Sequence, residues 1–135
     1  MSLACTRAEL DQLLADVAFT RNLGMRVESI EDGRCSIYVA FRDDFERPGG
    51  IVSGQVLMAA ADVAMWLAIK TKLGLADGSV TVEMKTNFLG SARKEGFRCN
   101  AEVLKLGGRL IYGTAECLDA SNRLLTHSTV TYIRA

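Results

Sequence analysis

The sequence has little of what several classes of protein require. It contains one proline and one histidine, His127, among 135 residues. The four cysteines are widely separated and form no C-x-x-C pair. We expect no metal site, because structural zinc needs clustered Cys or His ligands. Sixteen basic residues balance sixteen acidic ones, so the net charge is zero. Without a field of one sign, we expect neither nucleic acid nor a membrane as a partner.

The cysteines and the first residues bear on the cellular compartment. We interpret Cys5, Cys35, Cys99 and Cys117 as free thiols, because a chain with a substantial core does not need disulfides. The first ten residues carry charges of both signs and lack an apolar stretch. We therefore predict no signal peptide and a cytoplasmic location.

The composition is typical of a globular domain, with 49% hydrophobic and 24% charged residues. We predict one domain over 1–135, in which 1–23 form an N-terminal helix and lead-in and 24–135 form the core. Thr6 and Glu9 have capping-box spacing, and leucines follow at helical period. This pattern predicts a helix over about 6–17.

Short β-like runs occupy most of the core. The runs 25–30 and 35–41 flank Glu31-Asp32-Gly33, which is typical of a hairpin turn. Four more runs follow later in the chain, at 80–89, 97–106, 110–118 and 124–133. Together they predict an α+β fold in which an antiparallel six-stranded sheet wraps around a long central helix.

The predicted central helix, 53–69, is apolar on every side and contains one charged residue, Asp62. A helix of this kind is buried, and this one is too short and too polar to span a membrane. Lys70, Lys72 and Gly74 predict its C-terminal end.

Asp62 needs a physical explanation, because a carboxylate in an apolar helix costs several kcal/mol unless it is paired, hydrogen-bonded or facing a cleft. Two interpretations stay open: a buried Asp satisfied by backbone amides or a distant Arg, and a functional acid. Gly49, Gly50 and Gly54 bring bare backbone to the start of the same helix, where N–H groups favour a developing anion. Gly54 and Asp62 lie roughly 12 Å apart along one helix, so acting on one carbonyl would require two chains.

One segment resembles the active-site region of hotdog-fold acyl-CoA thioesterases of the phenylacetyl-CoA (PaaI-like) type. It reads Arg47-Pro48-Gly49-Gly50-Ile51-Val52-Ser53-Gly54-Gln55, followed by Ala61-Asp62. The family has an H-G-G turn with an acidic residue nine positions after the His, as Asp62 is after Ser53. The resemblance extends over about 24–133 and includes Val80-Thr81-Val82-Glu83-Met84. It implies the hotdog fold.

The resemblance also implies residue roles and an assembly. Asp62 matches the catalytic carboxylate, Gly54 the glycine whose N–H polarises the thioester carbonyl, and Thr81 a residue that positions the carboxylate or the water. Sites in this family lie between two subunits, so a homodimer is implied, and a homotetramer built as a dimer of dimers. Coenzyme A belongs to the acyl-CoA substrate, and no separate cofactor is implied.

Three positions depart from the family pattern. Ser53 stands where the family usually has His, Gln55 where it has the second Gly, and Arg47 where it often has Asn. A serine can cap the helix but supplies no imidazole. Gln55 either lines the pocket or is a surface residue at the helix start.

The other candidate substrate-binding residues are Gly50 in the turn and three basic residues. Arg93 and Lys94 either meet a coenzyme A phosphate or are solvated turn charges. Arg47 either binds a phosphate or substrate carboxylate, or pairs with one of the nearby acids Asp43, Asp44 and Glu46.

Some residues are predicted to be structural. Met58, Met65 and Trp66 are expected in the core, with an acyl tunnel as the alternative. Cys35 and Cys117 are expected to be buried and unreactive, and His127 to lie on the sheet surface.

We therefore expect hydrolysis of an acyl-CoA or aryl-acyl-CoA thioester to a free acid and coenzyme A. The alternative, motivated by the missing His, is a non-catalytic acyl-CoA- or lipid-binding hotdog protein. A hotdog hydratase is disfavoured, because those enzymes rely on a His in or before the central helix. The single His here, His127, lies far beyond that helix in sequence.

Overall fold

A computed structural model describes residues 3–135. It contains three α-helices: α1 (Arg7–Asp16), α2 (Ala18–Asn22) and α3 (Gly54–Leu73). The eight strands are β1 (Met25–Glu31), β2 (Arg34–Val39), β3 (Glu46–Arg47), β4 (Ile51–Val52), β5 (Val80–Phe88), β6 (Phe97–Leu106), β7 (Leu110–Leu118) and β8 (Leu124–Ile133). A short 3-10 helix, Asp43–Phe45, precedes β3.

Six of the strands form one antiparallel sheet in the order β1-β2-β6-β7-β8-β5. Alternate residues of β2, β7 and β8 are buried, as strands with one face on a core require. The buried face packs on α3, which contacts every strand of this sheet. The predicted α+β architecture, a sheet wrapped around a central helix, is confirmed.

The central helix begins one residue later than predicted, at Gly54, and ends four residues later, at Leu73. Lys70 and Thr71 are also buried, and the C-cap of α3 is Gly74, whose φ of 97° favours glycine. The Lys70 ammonium donates hydrogen bonds to the backbone oxygens of Leu75 (2.8 Å) and Asp77 (2.9 Å). These bonds stabilise the loop that leads into β5. No helix within residues 3–135 combines the length and apolar character of a membrane span.

The N-terminal helix is confirmed, together with its capping box. The Glu9 N–H donates to Thr6 Oγ1 at 3.1 Å, and the Thr6 N–H donates to Glu9 Oε1 at 2.9 Å. The short helix α2 was not predicted. Extended backbone at Val17 separates it from α1, and the Thr20 hydroxyl donates to the Leu14 carbonyl oxygen at 2.7 Å.

The two edges of the sheet differ. On β1, the Val27 N–H donates to Asp11 Oδ1 (2.9 Å) and its carbonyl oxygen accepts from Arg7 Nη2 (3.2 Å), so side chains of α1 occupy backbone groups of this edge. The outer edge of β5 has no partner strand within residues 3–135. Val82 and Phe88 of β5 are each 53% exposed. The open edge of the sheet is therefore also an apolar one.

The segment between β2 and α3, where no strand was predicted, contains a small hairpin, in which β3 pairs with β4. Its turn includes Gly49 and Gly50, with φ of 105° and 73°, values that favour glycine. The Val52 N–H donates to the Ala92 carbonyl oxygen at 2.9 Å, which docks the hairpin against the loop between β5 and β6. This contact places Arg93 and Lys94 beside the start of α3.

Candidate active site

Asp62 lies in the middle of α3 with a half-buried side chain. Its Oδ1 atom accepts hydrogen bonds from the hydroxyls of Thr81 and Tyr132, each at 2.8 Å. Neither backbone amides nor a distant Arg satisfy it among residues 3–135. The two hydroxyls fix the orientation of the carboxylate and leave Oδ2 without a recorded partner in this part of the chain.

Tyr132 was not predicted as a residue of the site. It lies on β8 directly opposite Thr81 of β5, and its side chain points inward with 3% exposure. Burial and the charge of Asp62 raise the pKa of the Tyr132 hydroxyl, so it stays protonated and donates. A buried tyrosine near a strand end usually needs a hydroxyl partner, which is the one signal in the sequence. The strand register that supplies Asp62 as this partner is a tertiary property.

A cleft of about 470 Å³ opens beside the Asp62 carboxylate. Its walls come from the α1–α2 junction, α3, the start of β5 and the end of β8, and they are largely apolar. The lining residues include Val17, Phe19, Val63, Trp66 and Val80. Trp66, expected in the core, thus lies at the wall of a cleft, whereas Met65 is fully buried.

The start of α3 presents unoccupied backbone donors. Within residues 3–135, no acceptor is recorded for the N–H of Gly54 or of Gln55. These groups lie in the first turn, where the helix dipole also favours negative charge. A Cβ atom at Gly54 would lie 2.9 Å from the ring of Phe88, so glycine leaves space for this ring beside the donors.

Ser53 precedes α3 but does not cap it. Its side chain makes no capping hydrogen bond, and its hydroxyl donates instead to the amide oxygen of Gln55. The side-chain capping bond that a serine can make at this position is therefore not formed, because the Gln55 amide oxygen accepts from the hydroxyl. Gln55 is exposed, and its spacing of seven residues from Asp62 places both on one face of α3.

The predicted basic residues gather around the β3–β4 hairpin. Arg93 Nη1 donates to the Gly49 carbonyl oxygen at 3.3 Å, and Lys94 Nζ lies 3.7 Å from Glu46 Oε2. Both side chains are exposed, and a Cβ atom at Gly50 would lie 3.9 Å from Lys94 Cε. The candidate residues Gly50, Arg93 and Lys94 therefore lie together in one surface region.

Arg47 is exposed on β3 in the same hairpin. Pairing with Asp43, Asp44 or Glu46 was one interpretation of Arg47, but no such ion pair exists within residues 3–135. Asp44 pairs with Arg42 (3.4 Å) and Glu46 with Lys94. Competing cations thus take two of the three acids, and the Arg47 guanidinium stays available at this surface.

The remaining side chains singled out in the sequence are structural. Cys35 and Cys117 are buried, as are the other two cysteines, and all four are free. Burial raises the pKa of the Cys35 thiol to about 12. His127 lies on the outer side of β8, where its Nδ1 is 2.9 Å from Glu116 Oε2 on β7. Within residues 3–135, no cluster of three His, Cys, Asp or Glu side chains could hold a metal ion.

The carboxylate and the backbone donors form two separate halves of a site. Both lie on α3, with Gly54 and Asp62 eight residues apart, so a rise of 1.5 Å per residue separates them by roughly 12 Å. Phe88, at the end of β5, lies beside the backbone donors at Gly54, and Thr81, near its start, contacts the Asp62 carboxylate. The two ends of β5 therefore lie at the two halves of the site.

Comparison with known proteins identifies the family. The sequence model of the Thioesterase superfamily matches residues 49–126, which are more than half of the chain and include Gly54, Asp62 and Thr81. The chain belongs to the thioesterase superfamily. An archaeal relative from Saccharolobus solfataricus, named "Putative esterase SSO2140", is 33% identical over 102 residues, covering 76% of this chain and 72% of the relative.

Solved structures of related proteins support this assignment. The conserved protein PA5202 of Pseudomonas aeruginosa is 26% identical, with a TM-score of 0.86 over 92% of this chain and 98% of that one. The thioesterase HI1161 of Haemophilus influenzae, at 20% identity, has a TM-score of 0.90 over 100% and 95% of the two chains and shows the shared fold. This thioesterase-superfamily member therefore has the hotdog fold and belongs among hydrolases of esters and thioesters.

Proposed function

We propose that this protein hydrolyses an acyl-CoA thioester to a free acid and coenzyme A, at a site shared between two subunits. Asp62 of one subunit acts as the base or nucleophile, and Gly54 of the partner subunit supplies the oxyanion donor. The observation that carries the proposal is the orientation of Asp62 by Thr81 and Tyr132 beside an open cleft.

The open edge of β5 supports a shared site. Antiparallel pairing of β5 with a second β5 would bring the Thr81 end of one strand beside the Phe88 end of the other. Asp62 of one chain would then approach the partner's Gly54. Within one chain the two residues cannot meet, because they are held apart on the same helix. The exposed Val80, Val82 and Phe88 would be covered in the same step.

The reaction follows from these groups. Asp62 takes a proton from a water molecule as the water oxygen attacks the thioester carbonyl carbon. The carbonyl oxygen then becomes an anion. The Gly54 N–H of the partner subunit stabilises this oxyanion, and losing such a donor costs about 3 kcal/mol in a comparable site. The tetrahedral intermediate then expels the thiolate of coenzyme A. Thiolate leaves readily, so the missing motif His is not required for this step.

The coenzyme A moiety is assigned to the basic surface at the β3–β4 hairpin. Arg47, Arg93 and Lys94 are exposed there, beside the turn that leads into α3. Phosphate groups pair with such side chains. Because this surface adjoins Gly54, it would serve the Asp62 of the other subunit.

We further propose that two dimers associate as a tetramer. Apolar side chains stay exposed on β6 and β7, away from the β5 edge; the most exposed are Leu104 (56%) and Leu110 (50%). These residues would form the contact between dimers.

Thiol release from a panel of acyl-CoAs tests the activity. Wild type should turn over at least one substrate, and Asp62→Asn should lose about 10²- to 10⁴-fold in kcat, the range expected for a general base. The matched control is Asp44→Asn, at an exposed carboxylate outside the site. If wild type releases no thiol but calorimetry shows acyl-CoA binding, the non-catalytic binding protein is correct instead.

Subunit complementation tests the shared site. Asp62→Asn and Gly54→Pro should each be inactive alone; proline removes the N–H and suits the backbone of the first helical position, and its Cβ atom would also displace the ring of Phe88. Mixed dimers would contain one complete site of two, so co-expression should restore about a quarter of wild-type activity. No restoration with both variants folded would mean that each site lies within one chain.

A further inference from the structure

The cleft beside Asp62 has an apolar end that the hydrolytic step does not use. We propose that this end holds the acyl group of the substrate and admits only uncharged, apolar acyl groups, a proposal that rests on the hydrolytic function given above. Its walls are Val17 and Phe19 at the α1–α2 junction, Val63 and Trp66 on α3, and Val80 on β5.

The polar side chains of the cleft are already engaged. The Thr20 hydroxyl donates to the Leu14 carbonyl oxygen at 2.7 Å, and the Ser79 hydroxyl donates to Asp77 Oδ1 at 2.9 Å. Thr81 and Tyr132 donate to Asp62. The hydroxyl protons of the cleft are therefore all engaged, so an acyl group that needs hydrogen-bond donors, such as a carboxylate, would lose water without gaining a hydrogen bond, which disfavours its binding.

Charge adds to this selection. Among the described residues that line the cleft, Asp62 is the only charged one. The nearby Lys70 ammonium lies 5.0 Å from the centre of the Trp66 ring and already donates to two carbonyl oxygens. Within one chain, a substrate carboxylate in the cleft would thus meet the like charge of Asp62 without a matching cation, and the basic side chains that the partner subunit brings are assigned to coenzyme A.

Among the wall residues, Phe19 is the best placed to select the acyl group, because its side chain is not part of the buried core. Its side chain is 59% exposed, although it belongs to a helix that the Thr20 hydrogen bond holds in place. A cleft of about 470 Å³ with aromatic and aliphatic walls lies in the range of small-molecule pockets. Phe19 therefore covers the outer part of the apolar end, where an acyl chain longer than acetyl would lie.

Three substrates and two variants test the proposal. Hexanoyl-CoA and adipoyl-CoA have equally long acyl chains but differ in a terminal carboxylate, and acetyl-CoA carries only a methyl group beyond its carbonyl carbon. We expect wild type to prefer hexanoyl-CoA to adipoyl-CoA by about a hundredfold in kcat/KM. Phe19→Ala should lower the ratio of hexanoyl-CoA to acetyl-CoA kcat/KM about tenfold. The matched control is Leu104→Ala, at a similarly exposed residue on β6 that does not line the cleft.

Direct binding separates this proposal from the hydrolytic one. In the Asp62→Asn background, calorimetry should show Phe19→Ala weakening hexanoyl-CoA binding about tenfold while Leu104→Ala does not. Normal turnover with an unchanged ratio, or with equal use of adipoyl-CoA, would overturn the acyl cleft and leave the hydrolase standing. If wild type hydrolyses nothing, the hydrolytic function fails. The cleft then stands if wild type binds hexanoyl-CoA more tightly than adipoyl-CoA and Phe19→Ala weakens that binding, and it falls if either difference is absent.

Discussion

Tyr132 and Asp62 are joined at two points: the Tyr132 hydroxyl lies 2.8 Å from Asp62 Oδ1 and 3.1 Å from the backbone oxygen of the same residue. The hydroxyl therefore locates both the side chain and the main chain of Asp62. Thr81 donates to the same Oδ1 from the neighbouring strand. The candidate base is thus held by the last strand and the first strand after the helix together.

Replacing Tyr132 by phenylalanine should affect the reaction more than substrate binding. Tyr132→Phe removes one of two donors to Oδ1 and keeps the ring, so we expect kcat to fall about tenfold with little change in KM. Steady-state kinetics on the preferred thioester measure this effect. Tyr112→Phe is the control, because Tyr112 is 42% exposed on β7. A larger change in KM than in kcat would contradict a positioning role.

Alkaline pH should destabilise the wild type through Tyr132. Burial and the charge of Asp62 raise the pKa of this hydroxyl above its ordinary value of 10.0. The folded chain therefore keeps a proton that the unfolded chain loses, and the free energy of unfolding falls as pH rises above about 10. Urea unfolding at pH 9 and pH 11 should show a smaller fall for Tyr132→Phe. Equal falls in the two proteins would contradict this expectation.

A charge on the open edge of the sheet should block assembly and activity together. Lysine disfavours pairing of edge strands, so Val82→Lys should lower the mass of the particle in light scattering. Thiol release should fall with it, while circular dichroism stays native because Val82 is 53% exposed. Leu104→Lys, at the proposed contact between dimers, should lower the mass only from tetramer to dimer and should keep the β5 pair and the activity. A fully active monomer of Val82→Lys would contradict a shared site.

A side chain at Gly33, in the hairpin between β1 and β2, should lower the stability of the protein. Its φ is 77°, and a Cβ atom would lie 2.8 Å from Lys72 Cε. Gly33→Ala should therefore lower the free energy of unfolding by about 1–3 kcal/mol. Gly108→Ala is the matched control, since nothing lies within 4 Å of a Cβ atom there and its φ is not positive. Chemical denaturation of both variants measures the difference, and equal effects would show that this turn relaxes freely.

The protein's own thiols should contribute little background signal in assays of thiol release. All four cysteines are buried, and burial raises the pKa of the Cys35 thiol to about 12, so its reactive thiolate is scarce at neutral pH. A disulfide reagent should react slowly with the native chain. After denaturation, the same reagent should titrate all four thiols. Fast reaction of any thiol in the native state would show local opening of the core.

Local signals in the sequence predicted the elements well. The Thr6–Glu9 capping box and the Gly74 terminus use neighbouring residues only, and both are present. The α+β architecture follows from the order of the runs. The short helix α2 and the β3–β4 hairpin were missed, because α2 is five residues long and each strand of the hairpin only two. Such lengths are too short for a periodic pattern.

The site was harder to predict, because its partners come from distant parts of the chain. Asp62 and Gly54 were identified by an isolated charge in an apolar helix and by glycines at the helix start. Tyr132 is 70 residues from Asp62 in sequence, and only the register of β5 and β8 brings it near. The pairing considered for Arg47 was wrong for a similar reason, since Lys94 reaches Glu46 from a separate loop.

The occupied edge of β1 limits how far the sheet can grow. With both backbone groups of Val27 bonded to side chains of α1, addition of a strand at β1 is disfavoured, and β5 is the edge that a second copy would extend. A pair joined at that edge is closed, because each end of the enlarged sheet is then a blocked β1. The same arrangement that would complete two catalytic sites therefore prevents end-to-end polymerisation into fibres.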